Sequence, residues 1–390
     1  MAFAILFRLI FFLAIPNLSQ DFYRFIWDGR LILEGLNPYI SLPKIIIQQN
    51  HYPINQALQL YQGMGEFNGS HYTNYPPLNQ FCFFIAAIFA NKSILGSVIV
   101  MRTIIIFADI GIFYFGVKLL KQLKLSTSNI FLYALNPFVI IELTGNLHFE
   151  SVMLFFLIFA LYKLQQQKWI WAAILFACSI AIKLIPLLFL PLFYQWFIKM
   201  PHTNQLKKKG FFKLLVFYAL IILICVLLFS PFYSPKVIPN YLNSVGLWFR
   251  NFEFNASFYY IARKIGYAFT GYNQIAIIGK IIFIVTVLLV LAISVFRKNI
   301  PLKNLITAML FTLSFYYFIS TTIHPWYLAS LLVLAIFTNY RFPFLWSMVV
   351  VLSYQAYANI PWKENLWLVG IEYGIVYVFL LYELKILKAN

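Results

Sequence analysis

The sequence predicts an all-α, polytopic membrane protein of about twelve transmembrane helices, and three observations support this class. Of 390 residues, 62% are hydrophobic and only 10% are charged, whereas about half of a soluble domain is apolar. Apolar runs such as residues 211–229 and 275–296 approach the ~20 residues that a helix needs to cross a bilayer. These runs do not alternate with polar residues, which favours helices over the strands of a membrane barrel.

The basic residues predict how the helices are oriented. Lys and Arg number 29 against 11 Asp and Glu, and they cluster beside apolar runs, without the basic stripe that nucleic acid binding requires. Placing the clusters in the cytoplasm gives a first helix over residues 2–18, with Arg8 in its middle, and both termini inside. The other predicted helices lie near residues 98–120, 129–143, 150–165, 169–183, 185–198, 211–231, 275–296, 303–320, 326–338, 342–358 and 365–384.

Two long segments then face the extracytoplasmic side, residues 19–97 and 232–274. Within the first, residues 78–90 are apolar but too few to span a bilayer, so we expect an interfacial helix there. Long loops are usually functional. The sequence shows no internal repeat, and we therefore expect a single membrane domain over residues 1–390 with its chemistry on the outer side.

Charge is concentrated immediately after the first apolar segment, in residues 19–30. Asp21, Arg24 and Asp28 stand three and seven residues apart, so a helix would place them on one face. A carboxylate at low dielectric can accept a proton from a hydroxyl, and an arginine such as Arg24 or Arg30 can bind phosphate with its planar guanidinium. The alternative is a solvated or salt-bridged turn at the membrane surface, and composition does not decide between them.

A second set of polar residues occurs farther along the chain. His148 and Glu150 could orient a sugar, assist a base or bind a divalent cation, but two ligands do not define a metal site, and a structural histidine is the alternative. Lys183, between two apolar runs, suits a phosphate group or else extends to the interface. Arg102 could add positive charge there, although Arg102 and Asp109 in one apolar run are more typical of structural pairs with neighbouring helices.

Aromatic residues complete the predicted outer surface. His324 and Trp326 lie in a short turn between two apolar runs, and aromatic rings can pack against sugars. Trp and Tyr also populate any membrane interface, so the aromatic residues are informative only together with Asp21 and Glu150.

The order of the motifs resembles the GT-C superfamily of membrane glycosyltransferases. The closest likeness is to polyprenyl-phosphate-mannose-dependent mannosyltransferases, including bacterial α-mannosyltransferases and, more distantly, the catalytic subunit of GPI mannosyltransferase. The motifs are Asp21-Phe-Tyr-Arg-Phe-Ile-Trp-Asp-Gly-Arg30, Gly35-Leu-Asn-Pro-Tyr39, Tyr75-Pro-Pro-Leu78, Leu135-Asn-Pro137, Gly145-Asn-Leu-His148, Lys183-Leu-Ile-Pro186 and His324-Pro-Trp-Tyr327.

This resemblance implies inverting transfer of a hexose, foremost mannose, from a polyprenyl-phosphate donor to a hydroxyl of a lipid-linked or cell-envelope glycan, outside the bacterial inner membrane. It implies that Asp21 is the base and that Glu150, where the family often has Asp, is the second acid. The residues expected to bind substrate are Arg24, Asp28, Arg30, Arg102, His148, Lys183, His324 and Trp326. The resemblance leaves open whether a divalent cation binds, because this sequence has Asp21 and Asp28 where one branch of the family has an Asp-X-Asp pair.

The alternative function is that of a transporter or flippase for a lipid-linked sugar. About twelve helices and buried charges would suit one, but a transporter is expected to have matching halves with broken helices. Here the polar motifs are predicted to lie on one side of the membrane, which favours an enzyme.

Overall fold

The computed structural model describes residues 1–50, 52–199, 205–359 and 362–389, and this part of the chain is 76% helical without a β-strand. The all-α class is therefore confirmed. The α-helices are α1 Ala2–Leu9, α2 Asp21–Leu33, α3 Pro43–Gln48, α4 Ala57–Gly69, α5 Pro77–Ala90, α6 Ile94–Gln122, α7 Phe131–Ala134, α8 Pro137–Val139, α9 Glu150–Gln165, α10 Trp169–Ile182, α11 Phe193–Ile198, α12 Gln205–Phe229, α13 Val237–Arg250, α14 Phe258–Thr270, α15 Ile275–Phe296, α16 Leu302–Ile319, α17 Leu328–Ala335, α18 Phe342–Val349 and α19 Leu366–Ala389. A π-helical turn covers Ile140–Gly145, and 3₁₀ turns cover Thr127–Ile130, Ile185–Leu192, Ser230–Phe232, Pro325–Tyr327 and Val350–Ala358.

Within the described ranges, five helices are long and apolar enough to cross a membrane. They are Ile94–Gln122, Lys208–Phe232, Ile275–Phe296, Leu302–Ile319 and Leu366–Leu387. A sixth arises if Pro137–Gly145 and Glu150–Gln165, which meet at a bend of 114°, form one broken span. The chain is an integral membrane protein. The count of about twelve spans and the interfacial position of residues 78–90 stay predictions.

Two predicted spans are shorter or more irregular than their hydropathy indicates. The first helix ends at Leu9, well before residue 18, and the carbonyl of Phe12 accepts a hydrogen bond from Arg102. The predicted span over residues 129–143 is divided into short helical pieces, and Pro137 begins one of them. Proline lacks an N–H and excludes the preceding residue from helical geometry, which explains the interruption.

The helices form two compact units. The first comprises Met1–Gln122, Ala134–Leu187 and Val216–Val245, and in it α9 packs against α6 and α10 while α5 packs against α2 and α6. The second comprises Leu123–Tyr133, Leu188–Leu215 and Gly246–Asn390, and in it α15 packs against α14 and α16, followed by successive contacts from α16 to α19.

In the first unit, α2 and α5 approach each other unusually closely. The rings of Phe25 and Phe83 stack with centroids 4.6 Å apart. A Cβ added to Gly29 would lie 2.2 Å from the carbonyl oxygen of Phe83, so only glycine fits at this position. The glycine of the charged motif thus lets α2 dock on α5.

The directions of α6, α9 and α10 show which chain ends lie together. Gly111 of α6 packs against Phe155 of α9, and Phe115 stacks on Phe159 at 3.8 Å, so these two helices run parallel. The Ser179 hydroxyl of α10 donates to the Met153 carbonyl of α9 at 2.8 Å. Lys183, directly after α10, contacts Glu150 at the start of α9. These two contacts show that α10 runs antiparallel to α9.

The opposite end of these three helices is basic. It carries Lys121, Lys163 and Lys168. The first unit therefore has a lysine-rich end and, at the other, the start of α9 and the end of α10.

Arg8, whose charge is costly in an apolar segment, forms an ion pair and two further hydrogen bonds in the first unit. Its Nε donates to Asp109 Oδ2 at 2.6 Å, and its Nη1 donates to the carbonyls of Ala4 and Ala134, each at 2.8 Å. The two charged side chains are 3% and 4% exposed. Removing one partner of such a pair leaves an uncompensated buried charge.

We expect Arg8→Met to destabilise the protein by about 3–5 kcal/mol, because Asp109 would remain buried without its cation. The midpoint of thermal unfolding in detergent measures this. The double variant Arg8→Met/Asp109→Leu should recover much of the loss, since it removes both charges. An unchanged midpoint for the single variant would contradict the structural role of the pair.

Candidate active site

Three helix ends in the first unit bring together Asp21, Glu150 and Lys183. Asp21 is the first residue of α2, Glu150 is the first residue of α9, and Lys183 directly follows α10. Helix N-termini favour carboxylates and C-termini favour cations, because the peptide dipoles add along the axis. Each charge therefore lies at the helix end that stabilises it.

The three side chains interact directly or through their charges. Lys183 Nζ lies 2.5 Å from Glu150 Oε1. Asp21 is close enough to both residues to be affected by their charges, and its carboxylate accepts a hydrogen bond from the side chain of Asn68. Glu150 is buried and Lys183 keeps 18% of its side chain exposed. The cluster is thus largely shielded but can be reached from outside the unit.

The environment of Asp21 suits a proton acceptor. Burial raises the pKa of the Asp21 carboxyl above its ordinary value; the Lys183 cation acts against this shift, the Glu150 carboxylate adds to it, and the Asn68 hydrogen bond acts against it. A carboxylate with a raised pKa is a stronger base at neutral pH than an ordinary aspartate. The second Glu150 oxygen, Oε2, is buried and accepts no hydrogen bond from the described residues, so it is available to a hydroxyl group.

Arg24 and Asp28, predicted to bind substrate, form a buried ion pair inside α2. Arg24 Nε donates to Asp28 Oδ1 at 2.8 Å, and Gln80 Nε2 donates to Asp28 Oδ2 at 3.0 Å. Arg24 Nη1 also donates to the backbone carbonyl of Asn68 at 2.6 Å. Arg24 thereby holds in place the residue whose side chain contacts Asp21.

Arg30 anchors the first long loop to α2. Its Nη1 donates to the carbonyl of Asn55 at 2.6 Å and its Nη2 to the side chain of Gln56 at 3.2 Å. Burial lowers the pKa of Arg30 to about 10, which leaves it charged at neutral pH.

His148 and Arg102 lie in the interior beside the π-helical turn. His148 is buried with its Nε2 at 3.8 Å from Glu142 Oε2. Arg102 Nε donates to the Thr144 carbonyl at 2.8 Å and Nη2 to the Gly145 carbonyl at 2.9 Å. The structure brings both residues to the segment that precedes Glu150.

His324 and Trp326 belong to the second unit. Their rings stack with centroids 4.4 Å apart and an interplanar angle of 3°, and both side chains are buried. The Phe254 ring also packs against the His324 ring, with centroids 5.3 Å apart. The position of His324 and Trp326 on the same outer surface as Asp21 stays a prediction.

Residues outside the predicted set also shape the site. Asn68 lies in a turn-rich segment whose pattern carries no signal for a contact with Asp21, and Gln80 lies in an otherwise apolar run. Tyr39, which the sequence presented only as part of a motif, donates its hydroxyl to the Tyr75 carbonyl at 2.8 Å. It belongs to a buried cluster with Val237 and Tyr241, and Leu184, next to Lys183, packs against this cluster.

Metal binding stays open for this site. In the part of the chain that the structure describes, no three or more His, Cys, Asp or Glu side chains form a group that could hold a metal ion.

Comparison with known proteins links these residues to one family. Residues 2–199, about half of the chain, match a family model described as alpha-(1->6)-mannopyranosyltransferase, N-terminal domain, of the MptA_B family. The matched range contains Asp21, Glu150 and Lys183. No curated protein matches the chain.

We expect Asp28→Asn, but not Asp21→Asn, to destabilise the protein. The folded pKa of Asp21 lies above its ordinary value, so the charged form disfavours folding at neutral pH, and Asn should leave the unfolding midpoint unchanged or higher. Asp28→Asn leaves Arg24 without its anion and should cost about 3–5 kcal/mol. Thermal unfolding of both purified variants in detergent tests this, and a midpoint for Asp21→Asn as low as that for Asp28→Asn would contradict it.

Proposed function

This chain belongs to the alpha-(1->6)-mannopyranosyltransferase family, and we propose that it transfers mannose, with inversion, from a polyprenyl-phosphate donor to a glycan hydroxyl outside the membrane. The resemblance to GT-C mannosyltransferases expected from the sequence is confirmed by this match. The observation that carries the finer proposal is the convergence of Asp21, Glu150 and Lys183 at three helix ends within the matched residues.

In the proposed reaction the acceptor hydroxyl oxygen attacks C1 of the mannose from the face opposite the lipid phosphate. The bond between C1 and the phosphate oxygen breaks, and its electron pair leaves with the polyprenyl phosphate. Asp21 accepts the hydroxyl proton, which its raised pKa favours. The products are the elongated glycan, polyprenyl phosphate and a protonated Asp21 that returns its proton to water.

Lys183 and Glu150 would support this displacement. Lys183 supplies a fixed positive charge, partly exposed, that can stabilise the negative charge developing on the leaving phosphate. Glu150 orients the ammonium group through the 2.5 Å contact, and its second oxygen can accept a hydrogen bond from a sugar hydroxyl. A single displacement that yields an α-linkage requires a β-linked donor.

The distribution of lysines supports an outer position for the site. Asp21 and Glu150 lie at the end of the first unit opposite Lys121, Lys163 and Lys168. Lys and Arg remain preferentially in the cytoplasm. The carboxylates are then extracytoplasmic, where a lipid-linked donor can present its head group while its chain stays in the bilayer.

We expect Asp21→Asn to lower the rate of mannose transfer by about 10²–10⁴-fold, because this variant lacks the base. The measurement is transfer of labelled mannose from polyprenyl-phosphate mannose in proteoliposomes. Glu66→Gln is a matched control, since Glu66 is an exposed acid of the same first loop that pairs with Lys44 at the surface. Full activity of Asp21→Asn would exclude Asp21 as the base, and movement of the lipid-linked sugar without transfer would favour a flippase.

We expect activity to fall on acidification as Asp21 takes up a proton, at a pH above the ~3.9 of an ordinary aspartate. Lys183→Met should move this acidic limb to higher pH, because the lost cation had favoured the Asp21 carboxylate. The pH dependence of kcat/KM for the two proteins measures the shift. An acidic limb that stays in place or moves to lower pH would show that Asp21 does not govern the profile.

A further inference from the structure

We propose that Arg102 and Asn146 are positioning residues that fasten the backbone entering Asp21 to the backbone entering Glu150. The expected effect of these residues on mannose transfer rests on the proposed function. Their effect on hydrogen exchange of the backbone can be measured without it. Both residues lie in the first unit and are buried.

Arg102 connects two segments that are more than a hundred residues apart in the sequence. Its Nη1 donates to the carbonyl of Phe12 at 2.9 Å, while Nε and Nη2 donate to the carbonyls of Thr144 and Gly145. Phe12 lies between α1 and α2, and the other two carbonyls end the π-helical turn before α9. Three of the five N–H groups of the guanidinium thus bind backbone.

Asn146 makes the second connection between the same segments. Its Oδ1 accepts the backbone N–H of Leu18 at 3.1 Å, and its Nδ2 donates to Glu142 Oε1 at 3.3 Å. Leu18 precedes Asp21 by three residues, and Asn146 precedes Glu150 by four. The side chain therefore ties together the segments that lead into both carboxylates.

These connections matter because the approaches to the two helices are irregular. Residues 14–17 form no regular secondary structure, and the turn before α9 ends in Leu147 with a positive φ of 61°. Backbone outside regular secondary structure has fewer internal hydrogen bonds, so side-chain contacts contribute more to its position. Arg102 and Asn146 supply such contacts and so fix Asp21 relative to Glu150 and its partner Lys183.

The competing role for Arg102 is a direct contact with the donor phosphate. Its complete burial and its three bonds to carbonyl oxygens favour the positioning role. A positioning residue affects the geometry of the reacting groups, and a displacement of 1 Å can lower a rate by about 10²-fold. A phosphate ligand would instead affect donor binding.

The test uses the full-length protein with Arg102→Met, Arg102→Lys and Asn146→Ala. Thr103→Val is the matched control, because the Thr103 hydroxyl donates to the Ile99 carbonyl within its own helix, at 2.8 Å. Hydrogen exchange of residues 12–20 and 140–149 reports the connection directly. Steady-state kinetics with polyprenyl-phosphate mannose give kcat and donor KM.

We expect faster exchange in both segments, a fall in kcat of about 10²-fold and an unchanged donor KM for Arg102→Met and Asn146→Ala. Arg102→Lys should not restore kcat, since one ammonium cannot reach carbonyls on both segments. A raised donor KM with unchanged kcat and unchanged exchange would overturn the proposal in favour of phosphate binding. If Arg102→Met does not fold, Asn146→Ala decides. Faster exchange in a protein whose wild type transfers no mannose would retain the connection and reject the proposed function.

Discussion

The first unit depends on one constraint, that a charge buried in an apolar protein must have a partner. Arg8 is paired with Asp109, Arg24 with Asp28, and Lys183 with Glu150. A lone ion would lose its hydration without compensation, whereas a hydrogen-bonded pair recovers much of that loss. The partners come from different helices in two of the three cases, so neutralising charge also determines which helices meet.

Asp21 is the exception to this pairing, and the proposed reaction depends on it. Lys183, the cation whose charge acts on Asp21, already pairs with Glu150. Burial raises the pKa of the Asp21 carboxyl above its ordinary value. The surrounding pairs make this exception stable: the Arg24 and Asp28 pair holds Asn68 in contact with Asp21, and Gly29 lets α2 approach α5. The charge-compensated surroundings thus support the one carboxylate that we propose as the proton acceptor.

Much of this could be anticipated from the residue pattern, and some could not. The spacing of Asp21, Arg24 and Asp28 indicated a shared helical face, and α2 begins at Asp21. The same spacing did not reveal that Arg24 and Asp28 face inward and bind each other. The contacts of Asn68 and Asn146 could not be predicted, because a polar residue in a turn-rich segment looks the same whether it faces water or a partner that is distant in the sequence.

The sequence by itself determined the membrane class, the helical fold and the family resemblance, since these follow from local hydropathy, charge and motif order. Only the tertiary structure decided which charges meet. It ended the first helix at Leu9, divided the predicted span at Pro137 and joined the ends of α2, α9 and α10. The physical reason is that partner choice depends on how helices pack across long sequence distances, whereas hydropathy reports only the local preference of each segment.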